Sequence, residues 1–190
     1  MTIPILLASS SERRKQLLNL IDIPVDQYFP PEVDETPLKS ELPRNLALRL
    51  ATLKSEVAAS QYPNHIIIAA DNVVACGRRI LDKADTNEDV RKYLMLLSGR
   101  RNTVYTALSI RHPSGKHSLK VVETKVAFKQ LIPQEIEMYI QTGEGVGKAG
   151  GYAIQGTAGK YIKWMQGSYH AVMGLPIHEV YQVLSGWGAL

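Results

Sequence analysis

The fold is decided by the stretch Ile66-Ile67-Ile68-Ala69-Ala70-Asp71, in which an unbroken apolar run ends at a carboxylate. A continuous apolar run of this length is typical of a buried strand that is covered on both faces. The segment before it predicts a helix, because Leu46, Leu50, Leu53 and Val57 repeat at intervals of three or four residues. A helix followed by a buried strand indicates the alternation of an α/β fold.

Segments on both sides of this strand continue the alternation. The apolar patterns predict strands over 3–8 and 161–165, a hairpin from 103–110 and 119–128, and helices around 17–21, 90–97, 133–140 and 176–184. A glycine-rich loop is predicted over 143–159. Because a hairpin pairs antiparallel, the predicted sheet is mixed. The sequence therefore predicts one α/β domain over residues 1–190, with helices packed against a mixed sheet.

Composition limits the class of protein. The chain has 190 residues, of which 45% are hydrophobic, so it can bury a sizeable core. Its single cysteine, Cys76, cannot form an internal disulfide, and no apolar run approaches the roughly 20 residues of a membrane span. These features predict a cytoplasmic protein without a membrane partner. The net charge of +4 is compatible with any polyanion and does not choose among them.

The segment Ser9–Arg14 is the first candidate for a binding site. Arg13 and Arg14 fall in the first turn of a predicted helix, where free backbone N–H groups favour anions and disfavour cations. Two arginines there indicate a negatively charged occupant, and the serines before them add hydroxyl donors for a phosphate. The alternative is a capped helix with solvated arginines.

Asp71 is the second candidate, because ligands of open α/β sheets bind beyond the carboxyl ends of strands. A carboxylate there can bind a divalent metal or take a proton from water, whereas the alternative is an Asp that begins a turn. Lys54 falls in the apolar stripe of its predicted helix, so it either extends to the edge of the stripe or points its ammonium at a phosphate. Lys83, after the turn near Arg78 and Arg79, could also point its ammonium at a phosphate. Glu35 by itself is predicted to lie in a solvated acidic loop.

One apparent motif is rejected. The segment Gly145–Gly150 matches G-x-G-x-x-G, but it follows a predicted helix instead of a strand, and Ala149 stands where a Walker A loop needs a hydroxyl. The histidines and the single cysteine show no zinc-binding spacing either.

Five blocks of sequence, in order along nearly the whole chain, resemble the Maf family. They are Leu7-Ala-Ser-Ser-Ser-Glu-Arg-Arg14, Ala70-Asp-Asn-Val-Val74, Leu97-Ser-Gly99, Lys148-Ala-Gly-Gly-Tyr-Ala-Ile-Gln-Gly156 and Gly167-Ser-Tyr-His-Ala-Val-Met-Gly-Leu-Pro176. The resemblance implies an elongated mixed β-sheet flanked by helices, with two lobes around a cleft. It also implies a nucleoside triphosphate pyrophosphatase that requires a divalent cation, Mg²⁺ or Mn²⁺. The implied enzyme is closest to the dTTP/UTP type and favours pyrimidine or modified nucleotides.

The resemblance assigns roles to residues already noted. Asp71 matches the proposed catalytic base of the family, and the polar cleft positions match Arg13, Glu35, Lys54 and Lys83. The substrate-binding set expected here also includes Ser9 and Arg14 of the first candidate segment. The positions tied to substrate choice match Arg13, Asn72 and Gln155. Glu35 and Asp71 are the expected metal ligands.

Three residues depart from the family pattern. Glu12 replaces a proline and adds a carboxylate beside the candidate phosphate site, and Ala84 replaces the proline that commonly follows the lysine. Asn72 replaces a threonine, and its amide would present a different hydrogen-bonding pattern to a base. We expect Asn72 to widen the set of accepted triphosphates and Gln155 to favour pyrimidines.

A second class of function is a basic regulatory protein that binds a nucleotide or a nucleic acid without turnover. The pairs Arg13-Arg14, Arg78-Arg79 and Arg100-Arg101 could contact phosphates, and members of the family are linked to septum formation in cell division. Carboxylates in a basic cleft would repel a DNA backbone, so the expected partner is a nucleoside triphosphate and not a nucleic acid. A homodimer is left open.

Overall fold

The structure, a computed structural model, describes residues 3–190. The strands are β1 (Ile5–Leu7), β2 (Gln27–Tyr28), β3 (Ile66–Cys76), β4 (Arg79–Leu81), β5 (Arg101–Arg111), β6 (His117–Phe128) and β7 (Ile162–Gln166). The helices are α1 (Glu12–Asn19), α2 (Pro43–Gln61), α3 (Asn87–Leu97), α4 (Pro133–Gln141), α5 (Tyr169–Met173) and α6 (Ile177–Gly186), with a 3-10 helix over Thr157–Tyr161. The predicted α/β fold is confirmed.

The strands form one mixed sheet. The strand order is β2-β1-β3-β5-β6-β7, and the short β4 pairs with β3 outside this path. β1 pairs parallel with β2 and with β3, whereas the pairs β3–β4, β3–β5, β5–β6 and β6–β7 are antiparallel. The predicted hairpin of β5 and β6 therefore lies within the antiparallel part of the sheet.

The prediction that the central strand ends at Asp71 is wrong. β3 continues for five more residues to Cys76, and Asp71 pairs with Ala107 of β5 while Asn72 pairs with Thr106. The apolar run stops at Asp71, but the antiparallel ladder does not, because ladder hydrogen bonds join backbone groups whatever the side chain. Asp71 consequently lies in the middle of an eleven-residue strand.

Two lobes share β3, which runs through both of them. The α1–α6 lobe packs helices α1 and α6 against the first half of the strand, through the buried residues Leu17, Leu18, Val180 and Leu184 on Ile66 and Ile68. The α3–α4 lobe packs helices α3 and α4 near its second half, through Val90, Leu94, Ile136 and Tyr139 with Val74 and Val104. Asp71 and Asn72 lie between the two halves, so the sheet itself brings polar groups to the junction of the lobes.

α2 covers the opposite face of β3. Pro43 begins this helix, where a missing N–H costs nothing, and the buried face includes Leu46, Leu50 and Lys54. Side chains of a strand alternate between faces, so Asp71 points toward α2 while Asn72 points away from it. Within residues 3–190, no helix is long and apolar enough to cross a membrane.

Candidate active site

A pocket of about 510 Å³ opens at the junction of the lobes. This volume falls in the range of small-molecule sites, roughly 300 to 1,000 Å³. Its described lining includes five basic side chains, Arg13, Arg14, Lys54, Lys83 and Lys148, and three acidic ones, Glu12, Glu35 and Asp71. The excess of positive charge favours an anionic ligand, and the carboxylates add groups that a simple anion site does not need.

A chain of ion pairs joins four of the predicted residues. The Nζ atom of Lys54 lies 2.5 Å from Oδ1 of Asp71 and 2.6 Å from Oε1 of Glu35, and Nζ of Lys83 lies 2.9 Å from Oε2 of Glu35. Lys54 and Asp71 are buried, with 9% and 7% of their surfaces exposed. A buried carboxylate requires such a partner, because an unpaired buried charge is strongly unfavourable. Oδ2 of Asp71 has no hydrogen bond to any described residue and remains available to a ligand or water.

Glu35 is held in its ionised form. Partial burial opposes ionisation, but the hydrogen bonds and charges of Lys54 and Lys83 outweigh it and lower the pKa of Glu35 to about 2. The predicted solvated acidic loop is therefore tied to the pocket through this residue.

The low pKa of Glu35 predicts a pH-dependent contribution to stability. Because the folded pKa of about 2 lies below the ordinary value of 4.5, the stabilisation is fully present above 4.5 and is lost as the pH falls toward 2. We expect urea unfolding to show wild type more stable than Glu35→Gln at neutral pH. The difference should shrink in acid between those two values. A difference that is constant over this interval would contradict the ion-pair role.

Arg14 is fixed by three side-chain hydrogen bonds at the start of α1. Its Nε donates to the carbonyl of Gly174 at 2.9 Å, Nη1 donates to Oγ of Ser9 at 3.0 Å, and Nη2 donates to Oδ1 of Asn72 at 3.1 Å. Burial lowers its pKa, and the nearby charge of Asp71 opposes that effect. The predicted segment Ser9–Arg14 thus reaches the pocket with its guanidinium already oriented.

Arg13 and Lys148 line the same pocket without a partner. Nε of Arg13 is buried and has no hydrogen bond in the described structure, and neither side chain forms an ion pair among residues 3–190. Burial, followed by the charge of Arg13, lowers the pKa of Lys148, and burial also lowers that of Arg13. These two cations repel each other and have no carboxylate partner among residues 3–190, so their N–H groups are free for an anionic ligand.

Lys148 was missed from the sequence. It belongs to the glycine-rich segment whose nucleotide-binding motif we rejected, and the rejection of that motif removed the lysine with it. The signal that could have found it is its place at the start of the block Lys148–Gly156. This segment packs closely on β3, since Gly150 has a φ of +70° and a Cβ there would lie 2.9 Å from Cγ1 of Val74.

Gln155 is exposed at the rim of the pocket, and hydrogen bonds hold the backbone of the segment on both sides of it. The hydroxyl of Tyr139 accepts a hydrogen bond from the N–H of Ala153 at 3.0 Å, and Glu144 accepts one from the N–H of Thr157 at 2.8 Å. The amide of Gln155 has no partner in the described structure, so its donors and acceptor are free to contact a ligand.

The side chain of Asn72 is occupied by the protein. Besides accepting from Arg14, it donates from Nδ2 to Oγ1 of Thr106 at 2.8 Å and to the carbonyl of Ala171 at 2.9 Å. The expectation that Asn72 contacts a base stays a prediction, and such a contact would compete with these bonds.

Of the other two departures, Glu12 lines the pocket and Ala84 does not. Glu12 is exposed and its carboxylate lies 3.1 Å from Nζ of Lys15. Ala84 is fully buried, its N–H donates to the carbonyl of Lys148 at 3.0 Å, and its carbonyl accepts from the N–H of Gly147 at 2.7 Å. The segment after Lys83 is therefore fixed by backbone hydrogen bonds although the proline is missing.

The other basic pairs lie elsewhere. Arg78 and Arg79 lie at the turn between β3 and β4, and Arg100 and Arg101 lie at the start of β5, and none of the four lines the pocket. The structure therefore brings together the predicted set of Ser9, Arg13, Arg14, Glu35, Lys54, Asp71, Asn72, Lys83 and Gln155, and leaves these pairs outside it.

A mixed α/β fold with a basic pocket and a buried, ion-paired carboxylate is suited to a phosphorylated small molecule. Comparison of the sequence with known protein families identifies the family to which the chain belongs. Residues 4–187 match the family described as Maf-like protein. The chain belongs to this family, which confirms the resemblance found from the sequence blocks.

Curated relatives cover nearly the whole chain. A dTTP/UTP pyrophosphatase of Caulobacter vibrioides is 48% identical over 184 residues, covering 97% of this chain and 95% of that protein. Proteins of the same description from Mesorhizobium japonicum and Zymomonas mobilis are each 47% identical, covering 97% and 96% of this chain and 91% and 92% of those proteins. Among solved structures, a nucleoside-triphosphatase / dITP/XTP pyrophosphatase of Mycobacterium abscessus covers 97% of this chain and 95% of that chain at 15% identity and a TM-score of 0.46.

Proposed function

We propose that this chain is a nucleoside triphosphate pyrophosphatase that hydrolyses dTTP and UTP in preference to purine nucleotides. The observation that carries the proposal is the ion-pair chain from Asp71 through Lys54 and Glu35 to Lys83 in a pocket with excess positive charge. Relatives with 47–48% identity over nearly their full length are named dTTP/UTP pyrophosphatases, which supports the same reaction.

Asp71 is the proposed general base. Lys54 holds Oδ1, which leaves Oδ2 to accept a proton from a water molecule. The water oxygen attacks the α-phosphorus as its proton moves to Asp71, and the bond from this phosphorus to the oxygen that bridges it to the β-phosphorus breaks. The products are the nucleoside monophosphate and pyrophosphate.

The basic side chains of the pocket are proposed to bind the phosphates. Arg13 and Lys148 have no protein partner in the described chain and are the proposed contacts of the triphosphate, together with Arg14, Ser9 and the exposed Lys83. Positive groups that are already in position when the substrate binds stabilise the negative charge that develops on phosphate oxygens in the transition state. Glu12 faces the same pocket, but Lys15 compensates its charge.

The carboxylates present fit a divalent cation of the Mg²⁺ or Mn²⁺ type. Residues 3–190 contain no group of three acidic, histidine or cysteine side chains that could enclose a metal. Mg²⁺ is commonly bound through one or two carboxylates together with substrate phosphates, and Asp71 and Glu35 supply two that share Lys54. A metal bound there would neutralise phosphate charge. Glu35 would hold it, and Oδ2 of Asp71 would be either a second ligand or the base.

Base choice is proposed to depend on Gln155 and Arg13. The amide of Gln155 can both donate and accept, as the polar edge of a pyrimidine requires, and it is exposed at the rim without a protein partner. A site that pairs with polar groups of the base rejects substrates that leave those groups unsatisfied.

Four further expectations from the sequence stay predictions. They are the cytoplasmic location, the single domain over residues 1–190, the possible homodimer and the link to septum formation.

The products of the reaction test the proposal. We expect dTTP and UTP, with Mg²⁺ or Mn²⁺, to give the monophosphate and pyrophosphate, and orthophosphate to appear only after an inorganic pyrophosphatase is added. The naming of the relatives as dTTP/UTP pyrophosphatases favours this cleavage over release of the terminal phosphate. Accumulation of the diphosphate with stoichiometric orthophosphate would show that the reaction is different. Binding without turnover would favour the regulatory alternative.

A further inference from the structure

Asn72 lies where four elements of the fold meet. It belongs to β3, and its side chain reaches Arg14 on α1, Thr106 on β5 and the carbonyl of Ala171 on α5. Oγ1 of Thr106 also donates to the carbonyl of Ala171 at 2.8 Å, so the bonds form a closed network. Thr106 and Ala171 are fully buried.

The chemistry of the partners fixes the orientation of the Asn72 amide. A carbonyl such as that of Ala171 can only accept, so Nδ2 must face it, and a guanidinium can only donate, so Oδ1 must face Arg14. Both hydrogens of Nδ2 are used, one by Thr106 and one by Ala171. Little hydrogen-bonding capacity therefore remains for a base.

Arg14 receives its orientation from this network. Its three bonds to Gly174, Ser9 and Asn72 use three of its five N–H groups, and the remaining two lie on the Nη atoms. Since Nη2 is held by Asn72 alone, loss of that bond would free one side of the fork that a phosphate requires.

We propose that Asn72 is a positioning residue that presents Arg14 to the triphosphate, and that it does not read the base. This inference rests on the proposed function. A threonine at this position is one bond shorter and has a single hydroxyl, so it cannot accept from Arg14 while donating to both Thr106 and Ala171. Asparagine performs these roles together, which gives the departure from the family a physical reason.

Thr106 offers a matched test, because it does not line the pocket and reaches the site through Asn72. Thr106→Val keeps the shape and removes the hydroxyl, whereas Thr106→Ser keeps the hydroxyl. We expect Asn72→Ala to lower kcat/KM by about tenfold, mainly through a higher KM, because a hydrogen bond to a charged group is lost. Thr106→Val should give a smaller loss, Thr106→Ser should retain wild-type KM, and Thr106→Val should have no further effect on KM in the Asn72→Ala background.

The decisive measurement is the pattern across nucleotides. The losses should be equal for dTTP, UTP, CTP and GTP, because a phosphate contact is common to all four. A changed ranking in Asn72→Ala or Asn72→Thr would show that Asn72 reads the base and would overturn the inference. Additive effects of the Thr106 and Asn72 substitutions on KM would overturn it as well.

Failure of the proposed function would be recognised separately, because wild type would then release no pyrophosphate from any nucleotide. In that case the same variants are compared by calorimetry with α,β-imido-dTTP, whose affinity should fall by about tenfold in Asn72→Ala. Unchanged affinity would overturn the inference without reference to turnover. Circular dichroism and Tm establish that each variant is folded at the assay temperature.

Discussion

Asp71→Asn is expected to lower kcat for dTTP by a factor on the order of a hundred or more while the protein remains folded. Asparagine keeps the shape of the side chain but removes the charge that accepts a proton from water. The structure adds that Oδ1 lies 2.5 Å from Nζ of Lys54, so the neutral amide also loses an ion pair. Initial rates of pyrophosphate release with saturating substrate measure the effect.

Asp85→Asn is the matched control for this substitution. Asp85 is exposed, precedes α3 and does not line the pocket, so the same chemical change there should leave kcat unaltered. If folded Asp71→Asn retains near-normal turnover, Asp71 is not the base. Glu35, the other carboxylate bound to Lys54, then becomes the candidate.

Lys54→Met is expected to have the second large effect, a loss of activity on the order of a hundredfold. Methionine preserves the apolar stem that α2 buries but removes the ammonium that holds both Asp71 and Glu35. The two carboxylates then face each other without the shared cation, and the pKa of Glu35 should rise from about 2 because only Lys83 remains. The acid limb of the rate profile should accordingly move to higher pH.

Lys129→Met is the matched control, because it removes a lysine ion pair that lies outside the pocket. Lys129 lies 2.7 Å from Glu135, outside the pocket, so its loss should affect stability slightly and activity not at all. A pH–rate profile for each variant separates the two roles. If Lys54→Met kept the wild-type profile and rate, the ion-pair chain would have no part in catalysis.

Much of the fold could be predicted because its long elements have clear periods. α2, β3, the hairpin of β5 and β6, and α3 were all located from apolar spacing, and the cap of α3 is Thr86, which shares a capping box with Asp89. The strands β2 and β4 and the helix α5 were missed, since two, three and five residues are too few to establish a period.

The length of β3 was underestimated for a different reason. Its second half begins with Asp71 and Asn72, and polar residues in a buried strand look like its end when their partners are unknown. Lys54 neutralises the first, 17 positions earlier in the chain, and the carbonyl of Ala171 binds the second, 99 positions later. Such distant pairs are set by the tertiary fold and leave no local signal.

The backbone bonds between Ala84 and the segment 147–148 carry an evolutionary consequence. The proline that the family resemblance implies at position 84 has no N–H and could not donate to the carbonyl of Lys148. A proline at this position would therefore lose a hydrogen bond and gain a restricted φ. Its net effect on stability would depend on which other contacts hold the segment 147–148. We therefore expect substitutions at residue 84 and in this loop to be coupled, so that segments transplanted between relatives should be exchanged together.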